Sequence, residues 1–340
     1  MNTYGEHLKV SIFGESHGNG IGIVIDGLPP GLAVDEDFIA SEMARRAPGN
    51  SPLATPRKEG DQVEILSGVF NGVTTGAPIC GMIRNTNTRS KDYTPELPRP
   101  GHADLTAFWK YNGYADYRGG GHFSGRLTAP IVFAGALCKS LLTQNQISIG
   151  SKVRQIGSVQ GDGMNEAMEE EILKARAEGD SVGGIIEASV KNLPVGLGSP
   201  FFGSVESRMA SMMFSIPAVK GVEFGSGFDL SSMRGSQAND PITKDGDTIV
   251  TKTNHNGGIN GGITNGMDVV FRVAIKPTPS ISKPQETVNL NTGETATLEV
   301  HGRHDPCIVP RALCVVEAAS AIVMADLLLC QWPDGIRKDR

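Results

Sequence analysis

Runs of apolar residues along the chain predict six β-strands. In each run, β-branched or other apolar residues alternate with polar ones or follow one another directly, and glycine, proline or polar clusters end the run. The predicted strands are Leu8–Phe13, Ile21–Asp26, Val63–Phe70, Ile79–Ile83, Gly184–Lys191 and Met267–Lys276.

Longer segments with start and stop signals predict five helices between these strands. Asp35 is a suitable N-cap for the first helix, and Asn165 and Gly179 bracket another. We expect Thr128 to cap a further helix. The predicted helices are Asp35–Ala47, Ala129–Leu142, Asn165–Gly179, Ser204–Phe214 and Pro310–Gln331.

The segment Ala312–Cys330 is apolar enough to raise the question of a membrane span. Glu317 and Asp326 interrupt it, and an acidic residue near the centre of a membrane helix costs about 2.5–3.5 kcal/mol. Pro310 is well placed at a helix start. We therefore predict a buried core helix and no membrane partner.

A short repeat indicates two related halves. Leu28-Pro29-Pro30-Gly31-Leu32 follows a predicted strand and precedes a helix, and Leu193-Pro194-Val195-Gly196-Leu197 does the same about half a chain later. We expect a single domain over residues 1–340 whose halves, about 1–150 and 151–340, share one core. A chance match in a chain rich in glycine and proline is the alternative.

The composition excludes several classes of protein. The 31 Lys and Arg residues against 37 Asp and Glu give a net charge of −6, which argues against nucleic acid as a partner because phosphate backbones require clustered excess cations. The five cysteines are odd in number and form no C-x-x-C pair, so neither a disulfide framework nor a thiolate zinc site is indicated. No signal-peptide pattern is visible, and we expect a cytoplasmic protein.

The motif Gly14-Glu15-Ser16-His17-Gly18 directly follows a predicted strand. It matches the G-x-S-x-G nucleophile elbow of serine hydrolases, but that elbow requires a helix next, and here the strand Ile21–Asp26 follows. A tight turn that presents His17 fits better. A structural histidine in a turn is the alternative.

Two further motifs place histidines among arginines in loops. Arg99-Pro100-Gly101-His102-Ala103-Asp104 puts His102 close to a predicted helix start, where an imidazole can donate a proton to an anion that Arg99 holds. Gly302-Arg303-His304-Asp305-Pro306 precedes the last helix. Either could instead be a surface loop with solvated charges.

A glycine-rich loop indicates phosphate binding. In the segment Tyr117–Thr128, three glycines, a serine and an arginine lead into a predicted helix, and such a loop presents backbone N–H groups to an anion. It lacks the Gly-Lys-Ser/Thr of a P-loop, and a flexible linker is the alternative. Arg45, Arg46 and Arg57 add cations, and residues 254–262 form a second glycine-rich segment. Together the motifs predict a site for a small polyanion, without metal.

These motifs, in this order, make the chain resemble the chorismate synthase family over essentially its whole length. The resemblance implies an α+β fold, a β-α-β sandwich with an internal pseudo-twofold repeat. It also implies a homotetramer and reduced FMN (FMNH2) as cofactor. It also implies a lyase reaction in the shikimate pathway of aromatic amino-acid biosynthesis. In that reaction, 5-enolpyruvylshikimate 3-phosphate loses phosphate by anti 1,4-elimination and becomes chorismate, with no net redox change.

The resemblance assigns roles to residues of this chain. His102 corresponds to the histidine that protonates the departing phosphate, His17 to the one against the reduced flavin, and Asp305 to the acid near flavin N5. The anion-binding positions are Ser16, Arg46, Arg57, Arg99 and Arg126. The flavin-contacting positions are His122, Phe123, Ser124, Pro217, Ala218, Gly261, Lys276, Pro277, Thr278, Pro279, Ser280 and Arg303.

Three positions depart from the family pattern. His122 replaces an arginine on the flavin side, Leu127 replaces an acid, and Pro52 stands where a second arginine is common. The first change predicts weaker or pH-dependent FMN binding. No separate nicotinamide domain is visible, so we expect reduced FMN from an outside source rather than an NADPH-dependent reductase activity of this chain.

Two other functions stay open at this point. A serine hydrolase built on Ser16 would be labelled by a fluorophosphonate. A non-catalytic binder of a nucleotide or phosphorylated metabolite would bind its ligand tightly without turnover.

Overall fold

The computed structural model describes residues 1–47, 60–86, 94–300 and 304–337, and it contains two antiparallel five-stranded sheets. The strands of the first sheet are β1 (Thr3–Tyr4), β2 (Lys9–Gly14), β3 (Gly20–Asp26), β4 (Val63–Ser67) and β7 (Ile79–Arg84). Their order across the sheet is β1-β2-β3-β7-β4. A small hairpin, β5 (Val69–Phe70) with β6 (Val73–Thr74), connects β4 to β7.

The second sheet is assembled from the later part of the chain. Its strands are β8 (Ser148–Ile156), β9 (Val159–Gln160), β10 (Gly184–Lys191), β11 (Val219–Phe224) and β16 (Val269–Ile275). Their order is β11-β16-β10-β8-β9. Three hairpins stand apart from it: β12 (Ile242–Asp245) with β13 (Thr248–Thr251), β14 (Ile259–Asn260) with β15 (Ile263–Thr264), and β17 (Gln285–Val288) with β18 (Thr295–Leu298).

Several of the protein's helices pack between the two sheets, which gives the β-α-β sandwich. The helices are α1 (Glu36–Arg46), α2 (Asp104–Lys110), α3 (Thr128–Gln144), α4 (Glu166–Ala177), α5 (Val205–Ser215), α6 (Gly235–Ala238) and α7 (Val309–Gln331). The central pair is α3, which packs on the first sheet, and α7, which packs on the second. The predicted α+β class and sandwich are thereby confirmed.

The central helices approach each other closely because one of them carries a glycine at the contact. A Cβ atom built on Gly135 of α3 would lie 2.3 Å from the Cβ atom of Ala318 in α7. A second close contact of this kind lies between α3 and the first sheet, where a Cβ on Gly81 would lie 2.3 Å from the ring of Phe133. The layers of the sandwich therefore depend on small residues at their contacts.

Two helical stretches, Arg118–Gln144 and Val309–Gln331, are long and apolar enough to cross a membrane by length and composition, and most of each is buried inside the protein. The two acidic residues of α7 are satisfied there. Asp326 accepts hydrogen bonds from the backbone N–H groups of His7 (2.9 Å) and Leu8 (2.8 Å). Glu317 accepts from Lys139 at 2.7 Å. The prediction of a buried core helix is confirmed.

Helix starts follow the predicted caps in two cases and differ in a third. The side chains of Asp35 and Asn165 accept N–H bonds from the first turns of α1 and α4. Thr128 was predicted to cap α3, but it is the first helical residue, and its hydroxyl donates to the Gly125 carbonyl at 2.6 Å. The tight turn Gly125–Leu127 before it supplies the entry instead.

The two proline-containing repeat motifs are held by the same hydrogen bonds. In the first motif, the Thr74 hydroxyl donates to the Pro29 carbonyl at 2.6 Å and accepts from the N–H of Leu32 at 2.9 Å. In the second motif, the Thr264 hydroxyl donates to the Pro194 carbonyl at 2.7 Å and accepts from the N–H of Leu197 at 2.9 Å. Each threonine lies in a small hairpin before the strand that pairs with β3 or β10. These correspondences support our proposal that the halves are related.

We predict that Gly135→Ala lowers the free energy of unfolding by about 1–3 kcal/mol, the usual cost of overpacking, although alanine favours helix more than glycine does. Urea unfolding measures the change. Gly150→Ala is the matched control, because a Cβ on Gly150 meets nothing within 4 Å, and it should change stability by less than about 0.5 kcal/mol. Equal effects of the two substitutions would contradict the close helix contact.

Candidate active site

The turn that connects β2 to β3 presents Ser16 and His17, and both side chains are buried, with exposures of 1% and 9%. The Asn85 side-chain amide holds this turn by donating to the carbonyls of Glu15 and Gly18, both at 2.9 Å. Because a strand and not a helix follows, Ser16 does not occupy a nucleophile elbow. The predicted turn presenting His17 is confirmed.

The glycine-rich loop passes between two histidines. Gly119 and Gly120 have φ angles of 62° and 81°, in the left-handed region where side chains are strained. A Cβ on Gly119 would lie 2.0 Å from His17 Nδ1, and one on Gly120 would lie 3.3 Å from His102 Nε2. The backbone of this loop therefore contacts both His17 and His102, and it brings the two imidazoles close to one another.

His102 is paired with a carboxylate that the sequence analysis did not single out. Its Nδ1 lies 2.6 Å from Asp104 Oδ1. Arg99 binds the same carboxylate through Nε (2.7 Å) and Nη2 (2.9 Å). Burial alone would raise the pKa of the Asp104 carboxyl, but hydrogen bonds from Arg99 and His102 outweigh it and hold that pKa well below its usual value. In the sequence, the feature that indicates this pairing is the acidic residue two positions after the histidine.

The loop 276–280, predicted to contact flavin, lies against the His102 motif. The Lys276 ammonium donates to the Gly101 carbonyl, and Arg99 Nη1 donates to the Ser280 hydroxyl at 3.0 Å. The Ala218 carbonyl accepts from the Lys276 N–H at 2.9 Å, which brings the predicted pair Pro217–Ala218 to the same loop. Burial, with the positive charge of Lys220, lowers the pKa of Lys276.

Two of the predicted anion-binding arginines share a buried carboxylate. Arg46 Nε donates to Asp61 Oδ2 at 3.0 Å, and Arg126 Nη1 donates to Asp61 Oδ1 at 2.7 Å. Burial alone would raise the pKa of the Asp61 carboxyl, but the two guanidinium groups outweigh it and lower that pKa. Arg45, another cation that the sequence indicates, instead pairs with Glu317 on the helical layer.

Asp305 lies at the entrance of α7 and is paired with Arg311. The Arg311 Nε donates to the backbone carbonyl of Arg46 at 3.0 Å, so Asp305 belongs to the same neighbourhood as the buried arginines. On its other side, the Pro306 carbonyl accepts from the Val182 N–H at 2.8 Å. Next to Val182, the Ser181 hydroxyl donates to the Thr278 carbonyl at 2.7 Å.

These contacts close into a ring. The Arg126 Nε donates to Asn85 Oδ1 at 2.7 Å, which returns the chain of contacts to the His17 turn. We call this set the site ring. Its members are Ser16, His17, Arg46, Asp61, Asn85, Arg99, His102, Asp104, Gly119, Gly120, Arg126, Ser181, Val182, Lys276, Thr278, Ser280, Asp305, Pro306 and Arg311. Two buried hydroxyls in it, Ser16 Oγ and Thr278 Oγ1, have no hydrogen-bond partner within the described residues.

The remaining predicted flavin positions fall at different distances from the ring. His122 Nδ1 lies 2.8 Å from the Gly14 carbonyl and fastens the glycine-rich loop to the end of β2. Phe123 packs on Tyr111 with ring centroids 6.2 Å apart, and the Ser124 hydroxyl caps the following turn. The backbone at Pro277 and Pro279 continues the loop 276–280, and the Pro279 carbonyl accepts from Gln285 at 3.4 Å.

Gly261 is separated from the other predicted flavin positions. It lies in the β14–β15 hairpin, whose Gly262 carbonyl accepts from the Val205 N–H at 3.0 Å at the start of α5. Pro217 and Ala218 follow the other end of α5, an 11-residue helix about 16 Å long at 1.5 Å per residue. We therefore leave Gly261 out of the site ring. Arg57 and Arg303, together with Pro52, lie outside the described residues.

A cavity of about 280 Å³ adjoins the glycine-rich loop. Arg99, Asp104, Gly120 and Phe123 contribute to its wall, and most of the rest is apolar. Among the residues that the structure describes, no cluster of His, Cys, Asp or Glu could hold a metal ion. The side chains of the site ring offer imidazoles, guanidinium groups, an ammonium group, carboxylates and hydroxyls.

Comparison of the whole chain with known proteins gives consistent matches to one family. A family model described as chorismate synthase matches residues 8–329. A chorismate synthase from Thermococcus kodakarensis is 50% identical over 98% of this chain and 99% of its own length. One from Dehalococcoides mccartyi is 48% identical over 96% of each chain. A crystal structure of chorismate synthase superposes with a TM-score of 0.76 at 33% identity, covering 96% of this chain and 93% of that one.

We predict that Asp61→Asn destabilises the protein by about 3–5 kcal/mol at pH 7, because it removes the buried carboxylate that the Arg46 and Arg126 guanidinium groups share. The Asp61 carboxylate has a lowered pKa when folded, so its contribution is complete above its unfolded pKa of about 3.9 and is lost as the pH falls through the folded value. The difference between the two proteins should therefore shrink below about pH 4. Urea unfolding at several pH values measures it.

Asp162→Asn is the control for this prediction. Asp162 is an exposed carboxylate that pairs with Lys152 and Arg154, and its loss should leave the unfolding midpoint unchanged. A difference between wild type and Asp61→Asn that grows toward acid would show that Asp61 is not the charged partner of the two arginines.

Proposed function

The chain belongs to the chorismate synthase family, and we propose that the site ring is its active site. Members of this family are carbon–oxygen lyases that act on a phosphate ester. In the reaction, phosphate leaves 5-enolpyruvylshikimate 3-phosphate, a proton is lost from C6, and chorismate forms without net redox change. The single observation that carries the proposal is the placement of His17 and His102 against neighbouring glycines of one loop.

The substrate charges explain the cations of the site ring. The substrate carries one phosphate and two carboxylates, whereas the protein has a net charge of −6, so binding requires a local excess of positive charge. We propose that Arg46, Arg126 and Lys276 supply it, with Arg57 from sequence. Asp61 keeps the two guanidinium groups of Arg46 and Arg126 oriented, because its carboxylate pairs with both.

The residues present fit reduced FMN as the cofactor. Ser16 Oγ and Thr278 Oγ1 are buried hydroxyls whose hydrogen-bonding capacity is unused within the described part of the chain, as expected of groups that meet a polar ligand. We propose that the loop 276–280, Pro217–Ala218 and the segment His122–Ser124 hold the flavin, with Arg303 from sequence. When bound, reduced FMN lends electron density to the breaking C–O bond and recovers it as the C6 hydrogen leaves.

Three side chains of the ring handle protons in this proposal. His102 donates the proton on Nε2 to the departing phosphate, which stabilises the charge that develops on the leaving oxygen. His17 would donate a hydrogen bond to the reduced flavin when it is bound. The Asp305 carboxylate, positioned by Arg311, assists removal of the C6 hydrogen.

We further propose a homotetramer in the cytoplasm. All five cysteines are free, in keeping with a reducing compartment. Large exposed aromatic side chains, such as Phe202 (95% exposed) and Phe228 (82%), support contacts between subunits. The small-molecule substrate is the partner that the family implies, and reduced FMN comes from a separate reductase in this proposal.

The two alternatives from sequence gain no support. Ser16 lies in a turn between two strands and its hydroxyl is buried, so it is not presented as a hydrolase nucleophile. A non-catalytic binder would not explain why one loop is shaped around two imidazoles.

We predict that His102→Ala lowers the rate of chorismate formation by roughly 10²–10⁴-fold, the usual contribution of a general acid. The assay supplies the enolpyruvyl substrate and reduced FMN without oxygen and follows chorismate. Binding of oxidised FMN, measured by quenching of its fluorescence, should stay within about threefold of wild type.

His7→Gln is the matched control for this substitution. Residue 7 precedes β2 whereas residue 17 follows it, so His7 lies at the opposite end of that strand from the site ring. The control should keep full activity. Absence of chorismate from the wild-type protein with reduced FMN, or equal turnover by His102→Ala, would refute the proposed function.

A further inference from the structure

We propose that Asp104 is the positioning residue for His102: its carboxylate fixes a hydrogen on Nδ1, so that Nε2 is the atom that passes the proton to substrate. This inference rests on the proposed function, in which His102 is the acid. It adds a residue that is one step removed from the reacting atoms and explains how the imidazole is kept in one tautomer.

The distance between His102 and Asp104 determines which nitrogen carries the fixed hydrogen. Asp104 Oδ1 lies 2.6 Å from Nδ1, which is hydrogen-bonding distance. The lowered pKa of Asp104 keeps its carboxyl ionised, and an ionised carboxylate can only accept. Nδ1 must therefore carry the hydrogen of this bond. Nε2 then carries a proton only when the ring is positively charged.

The carboxylate itself cannot turn away, because Arg99 binds it at three points. The Arg99 backbone N–H donates to Oδ2 at 3.1 Å, while Nε and Nη2 donate to Oδ2 and Oδ1 at 2.7 and 2.9 Å. Arg99 Nη1 is held in turn by Ser280. Such a bidentate pair fixes direction as well as distance. Arg99, which the sequence indicated as an anion binder, thus orients the acid pair.

Arg99 also shows what the loss of Asp104 would do. Its Nη2 lies 3.1 Å from His102 Nδ1, but it cannot donate to a nitrogen that already carries a hydrogen. Without the carboxylate, this guanidinium N–H becomes the donor to Nδ1 and moves the ring hydrogen to Nε2. A neutral ring protonated on Nε2 is a poor acid, since donation would leave an imidazolate.

The other ring nitrogen faces the site. Nε2 lies 3.3 Å from the point where a Cβ on Gly120 would stand, next to the Gly119 backbone that touches His17. Asp104 therefore lies behind the imidazole, and the proton-bearing Nε2 lies on the side of the other histidine. The arrangement separates the group that orients the ring from the position where substrate reacts.

The experiment combines ¹⁵N NMR of the histidine-labelled full-length protein with kinetics. His102→Ala assigns the His102 signals among the seven histidines, and the ¹⁵N shifts of the neutral ring report which nitrogen carries the hydrogen. The variants are Asp104→Asn, Asp104→Glu and, as matched control, Asp116→Asn. Asp116 makes the same kind of pair with Arg118, through Nε at 2.8 Å and the backbone N–H at 3.1 Å. Its charge acts on His17, but within the described residues no hydrogen bond joins it to His102, so it is a control for the tautomer of His102.

We expect the Nδ1–H form in the wild type and in Asp116→Asn, and a shift toward Nε2–H in Asp104→Asn. The kcat of Asp104→Asn should fall at least about 10-fold, as part of the 10²–10⁴-fold that a general acid contributes, while KM changes less than about threefold. Asp104→Glu, which retains the carboxylate, should recover part of kcat. A purely structural role would lower the melting temperature without changing the tautomer.

Three results would overturn the inference. An Nε2–H form in the wild type refutes it without any Asp104 variant, even if Asp104→Asn does not fold. An inactive His102→Ala protein beside a fully active Asp104→Asn protein refutes the role of Asp104 and leaves the proposed function standing. A fully active His102→Ala protein refutes both.

Discussion

The close approach of the Gly119–Gly120 backbone to two imidazoles is the constraint on which the site depends. A side chain at either glycine would occupy the place of His17 or push against His102, so the loop can bring the two rings together only as bare backbone. The turn between β2 and β3, which carries His17, is far along the chain from the segment before α2, which carries His102. The glycine-rich loop therefore joins two separate histidine motifs into one site.

Around that constraint, the protein assembles positive charge while remaining acidic overall. Asp61 and Asp104 each bind buried or half-buried guanidinium groups, and both have lowered pKa values, so they stay ionised at neutral pH. Each carboxylate neutralises one positive charge of the site and orients the guanidinium groups that it binds. The rigid sandwich behind them, in which α3 and α7 pack through Gly135 and Ala318, carries the loops that meet at the site ring.

The periodic segments could be predicted from sequence, and the partners of the site residues could not. Gly184–Lys191 was predicted with the observed bounds, and α7 differs by one residue at its start. β8 was missed because Lys152, Arg154 and polar neighbours break its apolar alternation. Asp61 lies in a segment without any pattern, and it meets Arg46 and Arg126 only through the tertiary fold. His102 could be found because Arg99-Pro100-Gly101 precedes it, and His17 because its motif directly follows a strand.

The most direct test of the account is a crystal structure of the full-length protein with oxidised FMN and the enolpyruvyl substrate. We predict that the isoalloxazine lies against His17 and the loop 276–280, with the substrate phosphate within hydrogen-bonding distance of His102 Nε2 and on the opposite side of the ring from Asp104. Ligands bound together at a place that touches neither histidine would contradict the central claim.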